Sequence, residues 1–199
     1  MFSPITETIL GVVNFTWPMV IISSVIVISL RLTYLIKNKE KFVFYKELFM
    51  LTFIIYILTL FQVVTFEDVN TWATNNFMPF KEIFRYQLGS RLFFKNVLGN
   101  VVMFIPYGVF VAHYLKLKRW YGIIVLALIA SVSIETVQLH IGRVFDIDDI
   151  LLNVAGAFLG FCFYRSLEMI GNKIPNLFKK EWIYNILAIL ALVLLITMI

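Results

Sequence analysis

Residues 120–140 read WYGIIVLALIASVSIETVQLH, an apolar run whose only charged side chain is that of Glu135. A helix needs about 20 mostly apolar residues to cross the hydrocarbon core of a bilayer, so this run is long enough to span one unaided. Four more stretches of comparable length contain no Asp, Glu, Lys or Arg, at residues 8–30, 48–66, 96–115 and 182–199. No soluble fold is compatible with so many long apolar segments.

The charge pattern predicts an all-α, polytopic membrane helix bundle that forms one integral membrane domain over residues 1–199. The uncharged stretch between Asp149 and Arg165 is short, so we expect its helix to include the polar flank from about Asp146 or to lie inside the bundle. The first helix follows no basic residue and exceeds a signal-peptide core in length, so we expect it to be retained. About six transmembrane helices are predicted, at residues 9–31, 48–65, 95–114, 120–140, 147–165 and 182–199.

The composition agrees with a membrane protein and accounts for the basic net charge. Charged residues make up 15% of the chain, against roughly 25% in average soluble proteins. Twelve of the 17 Lys and Arg residues fall in the first, third and fifth predicted loops, and five in the second and fourth. The positive-inside rule therefore predicts a protein of the cell membrane with both termini extracytoplasmic. Because topology explains the net charge of +5, nucleic acid is not an expected partner.

Little in the sequence indicates a metal or a cofactor, and we expect neither. The single cysteine, Cys162, excludes an intramolecular disulfide and a cysteine-based zinc site. The phosphate-binding glycine loop and the His-Glu-x-x-His and Gly-x-Ser-x-Gly motifs are absent. Glu135, Asp146 and Asp149 carry the hard oxygen ligands that Mg²⁺ or Ca²⁺ prefers, but their spacing identifies no site.

Glu135 is the residue that a bilayer should reject most strongly. A charged carboxylate inside a spanning helix costs about 2.5–3.5 kcal/mol to insert, so its side chain should face the protein interior, be protonated or be paired. Ser131 and Gln138 lie four residues before it and three residues after it, on the same helix face. Glu135 is therefore either a buried ion partner or a working acid or base.

A second polar cluster follows in the turn and at the start of the next helix. Asp146, Asp149 and Asn153 recur at spacings of three and four, so they line one helix face, and Asp146 is a candidate N-cap. Arg143 is close enough in sequence to pair with Glu135 and with these acids. Such an ion-pair network would also explain how the acids are tolerated without any catalysis.

A third polar cluster opens helix 95–114, where Asn96 and Asn100 are one turn apart. In the predicted topology this helix begins on the outer side of the membrane, the next ends there, and the one after begins there. We therefore expect the three clusters to meet in the outer leaflet, where the Asn side chains bind a ligand or form interhelical hydrogen bonds. The pair Gly156 and Gly160 is typical of a helix that another helix approaches closely.

Residues 66–94 are too apolar for a solvated linker. Within them, the stretch 76–81, NFMPFK, indicates a turn that leads into a short amphipathic segment. We expect an amphipathic or re-entrant segment near 76–92 that lies in the outer interface or covers the polar site. Phe80 and Lys81 are its candidate ligand contacts.

These residues together resemble the VanZ-like family over about residues 50–165, which leaves the helices at 9–31 and 182–199 outside the core. The stretch from Asn76 to Phe80 is similar to the family's Asn-x-x-Pro-Phe segment. The rest of the motif is carried by Asn96, Gly99, Asn100, Phe104, Pro106, Gly108, Ser131, Glu135, Gln138, Arg143, Asp146, Asp149, Asn153, Gly156 and Gly160. The resemblance implies a bacterial envelope protein, one member of the family being linked to resistance against the glycopeptide teicoplanin. It implies little about mechanism.

Two functions of different class are compatible with this pattern. In the first, an outer-leaflet pocket binds a lipid-linked cell-envelope component or a lipophilic glycopeptide without chemistry. In the second, the same pocket is an enzyme that modifies an envelope lipid or a peptidoglycan precursor, with Glu135 as general acid or base and Arg143 stabilising anionic charge. Asp146 and Asp149 would orient these two groups or hold a metal. The candidate ligand-binding residues are Asn96, Asn100, Gln138, Asn153, Phe80 and Lys81.

A third reading is a helix-packing accessory subunit for another membrane protein, which would co-purify with its partner chain. Membrane lipids are expected partners in all three cases. The sequence does not indicate the oligomeric state.

Overall fold

The computed structural model describes residues 3–65, 74–173, 175 and 180–198, without the side chains of 3–15, 195, 196 and 198. Residues 66–73 of the predicted second loop and 176–179 of the predicted fifth loop lie outside this part. The described part contains α1 (Ser3–Asn38), α2 (Phe44–Thr65), α3 (Lys81–Arg85), α4 (Gly99–Leu115), α5 (Trp120–His140), α6 (Ile147–Lys173) and α7 (Glu181–Met198), with a π-helical turn at Phe93–Leu98 before α4.

The predicted all-α membrane bundle is confirmed. Five helices of the described part are long and apolar enough to cross a membrane. They are Thr16–Asn38 within α1, Phe44–Thr65, Phe93–Leu115, Trp120–His140 and Ile147–Lys173. The apolar stretch described in α7, Glu181–Leu194, is shorter than these, so the sixth span at 182–199 stays a prediction.

Two helices extend beyond their predicted limits. α1 continues through Pro18 as far as Asn38, and α6 continues to Lys173 instead of ending at Arg165. At this end of α6 the guanidinium of Arg165 pairs with the carboxylate of Glu168, one helical turn further on. A hydropathy pattern marks only the part of a helix that is apolar, whereas backbone hydrogen bonds continue into the polar end.

The chain forms two compact units. The first consists of Met1–Val63 and Lys173–Ile199 and contains α1, nearly all of α2, and α7. The second consists of Val64–Asn172 and contains α3 to α6. The polar clusters predicted from the sequence all belong to the second unit.

Polar contacts join the helices of the first unit. The guanidinium of Arg31 on α1 donates to both carboxylate oxygens of Glu47 on α2, at 2.8 and 3.0 Å. The side-chain oxygen of Asn185 on α7 accepts the backbone N–H of Tyr45 at 3.0 Å, so it satisfies a donor in the first turn of α2. A two-point Arg–carboxylate pair is geometrically specific and holds α1 and α2 in one register.

The second unit is built on direct backbone contact between α4 and α6. A Cβ atom added to Gly108 on α4 would lie 2.0 Å from the carbonyl oxygen of Ala157 on α6. Cβ atoms added to Gly156 and Gly160 would lie 2.1 and 2.0 Å from carbonyl oxygens of α4. Real Cβ atoms do not approach other atoms so closely, so only glycine fits at these three positions. The close packing predicted for Gly156 and Gly160 is confirmed.

α5 completes the core of this unit. The hydroxyl of Tyr107 on α4 donates to the carbonyl oxygen of Leu126 on α5 at 3.1 Å. Phe104, Ile123 and Ala127 are fully buried between the helices. The unit is therefore a three-helix bundle, and its helix ends hold the polar residues in fixed positions.

We predict that Gly160→Ala destabilises the protein by about 1–3 kcal/mol, the usual cost of overpacking a tight core. The measurement is the thermal unfolding midpoint of the purified full chain in a neutral detergent. Gly171→Ala is the matched control, because a Cβ at Gly171 on the same helix meets nothing within 4 Å. Equal midpoints for the two variants would contradict the close approach of α4 and α6.

Candidate functional site

The polar site begins where α5 ends and α6 starts. The carboxylate of Glu135, with 1% of its surface exposed, accepts the backbone N–H of Asp146 at 2.9 Å. Asp146 is the N-cap of α6, since its side chain accepts the N–H of Asp148 at 2.8 Å. The turn between the two helices passes through Gly142, whose φ of +86° is in the left-handed region. Glu135 thus ties the start of α6 to the last turns of α5.

The segment 74–77 is attached to this helix start by a short parallel bridge. Asn76 donates its N–H to the carbonyl of Phe145 at 2.8 Å, and its own carbonyl accepts the N–H of Ile147 at 3.0 Å. The side-chain amide of Asn76 also donates to the carboxylate of Asp146 at 2.8 Å. With both backbone groups and its side chain paired, Asn76 is 4% exposed and fixes the loop against α6.

Asp148 holds the residues that follow. Its carboxylate, 1% exposed, accepts three backbone N–H groups, from Phe80, Glu82 at 2.7 Å and Ile83 at 3.2 Å. These include N–H groups of the first turn of α3, which has no side-chain N-cap of its own. Phe80 itself has a left-handed backbone with a φ of +67°, a conformation that a bulky residue adopts only when its surroundings impose it. Asp148 therefore replaces the missing N-cap from a distant part of the chain.

Asparagines of α4 and α6 join the remaining helix faces. Asn100 donates to the carboxylate of Asp149 at 2.5 Å, and Asn153 donates to the hydroxyl of Ser131 at 2.9 Å inside the bundle. Asn96 donates to the hydroxyl of Tyr86 at 2.9 Å. The three predicted polar clusters therefore meet at one end of the second unit, where several of the asparagines form interhelical hydrogen bonds.

Arg143 and Gln138 converge on one carbonyl group. The guanidinium of Arg143 donates to the carbonyl oxygen of Val64 at 2.6 Å, and the amide of Gln138 donates to the same oxygen at 3.1 Å. Gln138 on α5 and Arg143 in the turn after it are thus joined through the backbone of Val64.

An open cavity of about 710 Å³ lies beside this network. Its volume falls within the range of roughly 300–1,000 Å³ that is typical of small-ligand sites. Two cations, two carboxylates and three other polar side chains line it together with two apolar ones: Lys81, Arg85, Glu82, Asp146, Thr74, Asn76, Tyr86, Leu92 and Val144. Of the predicted site residues, Lys81 and Asp146 line the cavity, whereas Glu135 and the asparagines 96, 100 and 153 do not.

The charged residues that line the cavity differ in the ion pairs and hydrogen bonds that they form. Arg85 donates to both carboxylate oxygens of Glu82, at 3.3 and 3.1 Å. Lys81 is exposed, and within the described chain its ammonium group has no ion pair or hydrogen bond. Burial raises the pKa of the Asp146 carboxyl above its ordinary value, although its hydrogen bonds from Asp148 and Asn76 act in the opposite direction.

The segment 77–88, which supplies four of the cavity-lining residues, also carries exposed apolar side chains. Phe77, Met78, Phe80, Phe84 and Leu88 are all more than half exposed, Phe84 at 81% and Leu88 at 86%. We refer to these five residues as the apolar rim. Large exposed apolar side chains clustered in one short segment favour a contact with a membrane, a partner or a ligand. The structure thus has the amphipathic segment predicted near 76–92, and it lies against the polar helix ends.

A metal site is not formed by the predicted carboxylates. Glu135 bonds a backbone N–H, Asp149 bonds Asn100, and Asp146 bonds Asn76 and a backbone N–H. In the residues that the structure describes, no group of three or more His, Cys, Asp or Glu side chains is placed to hold a metal ion.

The fold and the polar helix ends define a multi-pass membrane protein of the helical-bundle class. The chain belongs to the VanZ/LLP1 family, whose model matches residues 48–171. The resemblance inferred from the sequence is confirmed, and the motif residues from Asn76 to Gly160 all fall in the matched range. No curated protein and no solved structure matches the chain.

Sequence reasoning missed two functional residues, Asp148 and Arg85. Asp148 lies about 200° around the helix from Asp146. It is therefore not on the helix face that Asp146, Asp149 and Asn153 share, on which the sequence prediction was based. A signal was present nonetheless: three acids in four positions at a helix start exceed what one N-cap requires. Arg85 reaches the cavity only because Asp148 holds the start of α3, which no local pattern indicates.

We predict that Asp148→Asn frees the segment 80–86. Asn keeps one acceptor oxygen but turns an N–H donor toward the backbone N–H groups that Asp148 accepts, and each such charged hydrogen bond is worth about 1.5–3 kcal/mol. Trypsin should therefore cleave after Lys81 and Arg85 about tenfold faster, as measured by mass spectrometry of the full chain in neutral detergent.

Asp149→Asn is the matched control for this experiment. It removes the neighbouring negative charge but leaves the bonds to residues 80–83 intact, so the cleavage rate should stay at the wild-type value. If both variants are cut at the wild-type rate, Asp148 does not hold the segment.

Proposed function

We propose that this protein binds the polar head group of a lipid-linked cell-envelope component, or of a lipophilic glycopeptide, in the 710 Å³ cavity. The observation that carries the proposal is the union of two features in one short segment. Lys81 and Arg85 line the cavity, and the five exposed residues of the apolar rim belong to the same segment, 77–88. Head group and hydrocarbon chain would thus be recognised side by side.

The lining suits a head group that is anionic and also rich in hydroxyl or amide groups. The ammonium of Lys81, which has no ion pair or hydrogen bond among the described residues, is the natural partner of a phosphate or carboxylate. The guanidinium of Arg85 adds a planar donor fork. Glu82 and Asp146 supply acceptors for sugar hydroxyls or peptide N–H groups. A simple anion would be repelled by these two carboxylates, so the lining favours a larger, mixed head group.

The apolar rim accounts for the lipid part of the ligand. Phe77, Phe80, Phe84 and Leu88 would each gain about 1.5–3 kcal/mol on full burial, so they favour insertion among acyl chains or contact with a lipid tail. Aromatic side chains are also favoured at the membrane interface. We place this segment in the outer leaflet, with both termini extracytoplasmic and in a bacterial cell membrane, because the distribution of basic residues supports that orientation.

The geometry gives less support to the enzymatic alternative. Glu135 is almost fully buried, lies outside the cavity lining and uses a carboxylate oxygen to hold the N–H of Asp146. A general acid or base needs to lie within hydrogen-bond reach of the group it protonates. We therefore assign Glu135 a positioning role, in which it holds Asp146 at the cavity wall.

We predict that Lys81→Gln combined with Arg85→Gln weakens ligand binding about tenfold, because the two cations that face the head group are removed. The full chain in neutral detergent is titrated against a fluorescent polyprenyl-diphosphate-linked peptidoglycan precursor and, separately, against labelled teicoplanin. Fluorescence anisotropy reports the dissociation constant in each case.

Lys37→Gln combined with Lys41→Gln is the control, since it removes the same charge from the first basic loop. It should bind like the wild type. If the wild type binds neither probe, or if both double variants lose affinity equally, the cavity is not a specific site for this ligand class.

We predict that Glu135→Gln retains function in cells, because the Gln side-chain oxygen still accepts the N–H of Asp146. Expressed at equal membrane levels in a glycopeptide-sensitive Gram-positive host, wild type and Glu135→Gln should raise teicoplanin tolerance, whereas the Lys81→Gln, Arg85→Gln variant should not. Vancomycin, which has no lipid tail, is the comparison drug. If Glu135→Gln is well expressed but does not raise teicoplanin tolerance, the result favours the hypothesis that Glu135 acts as a general acid or base.

A further inference from the structure

A second cavity, of about 460 Å³, lies in the same unit and is not part of the site described above. The α4–α5 connection and the first turn of α5 form one wall, and the C-terminal half of α6 forms the other. The residues that line it are Lys118, Arg119, Trp120, Tyr121, Phe161, Cys162, Arg165, Ser166 and Met169. Trp120 and Glu135 are separated by about 22 Å along α5 at 1.5 Å per residue, so the two cavities are at opposite ends of the bundle.

The charge of this second cavity has a single sign. Three of its nine lining residues, Lys118, Arg119 and Arg165, are cations, and none is an acid. Arg165 pairs with Glu168, which lies outside the lining. The ammonium of Lys118 has no ion pair or hydrogen bond within the described chain. The first cavity differs, since there two carboxylates balance two cations.

Other groups in the wall favour an anion as well. Arg119 is the N-cap of α5 and offers no side-chain acceptor to the first N–H groups of that helix. Its guanidinium donates to the hydroxyl of Tyr121 at 3.0 Å and lies 5.9 Å from the centre of that ring, which holds the cation at the cavity. The positive end of the helix dipole thus adds to the three side-chain charges.

We propose that this second cavity binds the phosphate head group of an anionic phospholipid. The cavity volume is within the range of ordinary small-ligand sites. Lys118 and Arg119 directly precede α5, and Arg165 lies on α6, and both helices have the length to span a membrane. Basic pockets between transmembrane helices are a recognised form of lipid head-group site.

Apolar surface at the mouth of the cavity selects a lipid over a soluble phosphate. Trp120 is 62% exposed and Met169 57% exposed, and both line the cavity beside the cations. Exposed indole rings are favoured at the level of the lipid head groups. The acyl chains of a bound lipid would cover these side chains while the phosphate contacts Lys118, Arg119 and Arg165.

Trp120 itself provides the reporter for the test. Trp17→Phe, Trp72→Phe and Trp182→Phe together leave it as the only tryptophan of the full chain. This protein is reconstituted in phosphatidylcholine vesicles that contain increasing fractions of brominated phosphatidylglycerol or brominated phosphatidylcholine. Quenching of Trp120 fluorescence then gives the relative affinity of the two lipids at the cavity.

The expected result is a preference for phosphatidylglycerol of about fivefold or more, since each cation near the lipid surface adds about that factor. Replacing Lys118, Arg119 and Arg165 by Gln should reduce the preference to about one. Replacing Lys37, Lys41 and Lys46 by Gln changes the net charge equally and should leave it intact.

Other results would overturn the proposal. These are equal quenching by both lipids in the wild type, an undiminished preference in the cavity variant, or an equal loss in the control variant. Loss of the preference on adding millimolar inorganic phosphate would assign the cavity to a soluble anion instead. If the triple cavity variant does not fold, Lys118→Gln with Arg119→Gln is used, because neither of these side chains is buried.

Discussion

The polar end of the second unit depends on buried carboxylates that accept backbone N–H groups. Helix starts and loops leave such donors unpaired, and a membrane protein has little water at that depth to satisfy them. Glu135 takes the N–H of Asp146, and Asp148 takes three N–H groups of the segment that contains α3. Without these acceptors the loop 74–86 would have no fixed position, and the cavity would lose one wall.

This arrangement separates the residues that build the site from those that face a ligand. Glu135, Asp148 and Asn76 are nearly fully buried, and their side chains form hydrogen bonds with other groups of the chain. Lys81 and Arg85 stand on the surface that these three residues hold in place. The residues that a bilayer should reject most strongly thus bond the chain itself, whereas the exposed cations of the short helix α3 line the cavity. Arg143 likewise donates to the chain itself, at the carbonyl of Val64, and is not among the cations that line the two cavities.

The close approach of α4 and α6 has a related consequence. Because Gly108, Gly156 and Gly160 bring the two backbones into contact, Asn100 reaches Asp149 and the polar clusters meet at one helix end. At the other end, the basic and aromatic residues of the α4–α5 connection and the start of α5 line the second cavity together with α6. One tightly packed helix pair thus positions both sites, one mixed in charge and one purely basic.

The sequence by itself determined the class of the protein, the location of five spanning helices, the family, and the meeting of three polar clusters. Each of these follows from local pattern: apolar length, helical spacing of polar residues, and glycine at every fourth position. The tertiary structure alone decided which polar residues bond the backbone and which face a cavity. Asp148 and Glu135 are both acids near a helix end, and nothing local shows that one caps a distant helix while the other fixes a neighbouring turn. Such roles depend on which unpaired N–H group the fold brings within 3 Å, and that distance is a property of packing between segments far apart in the chain.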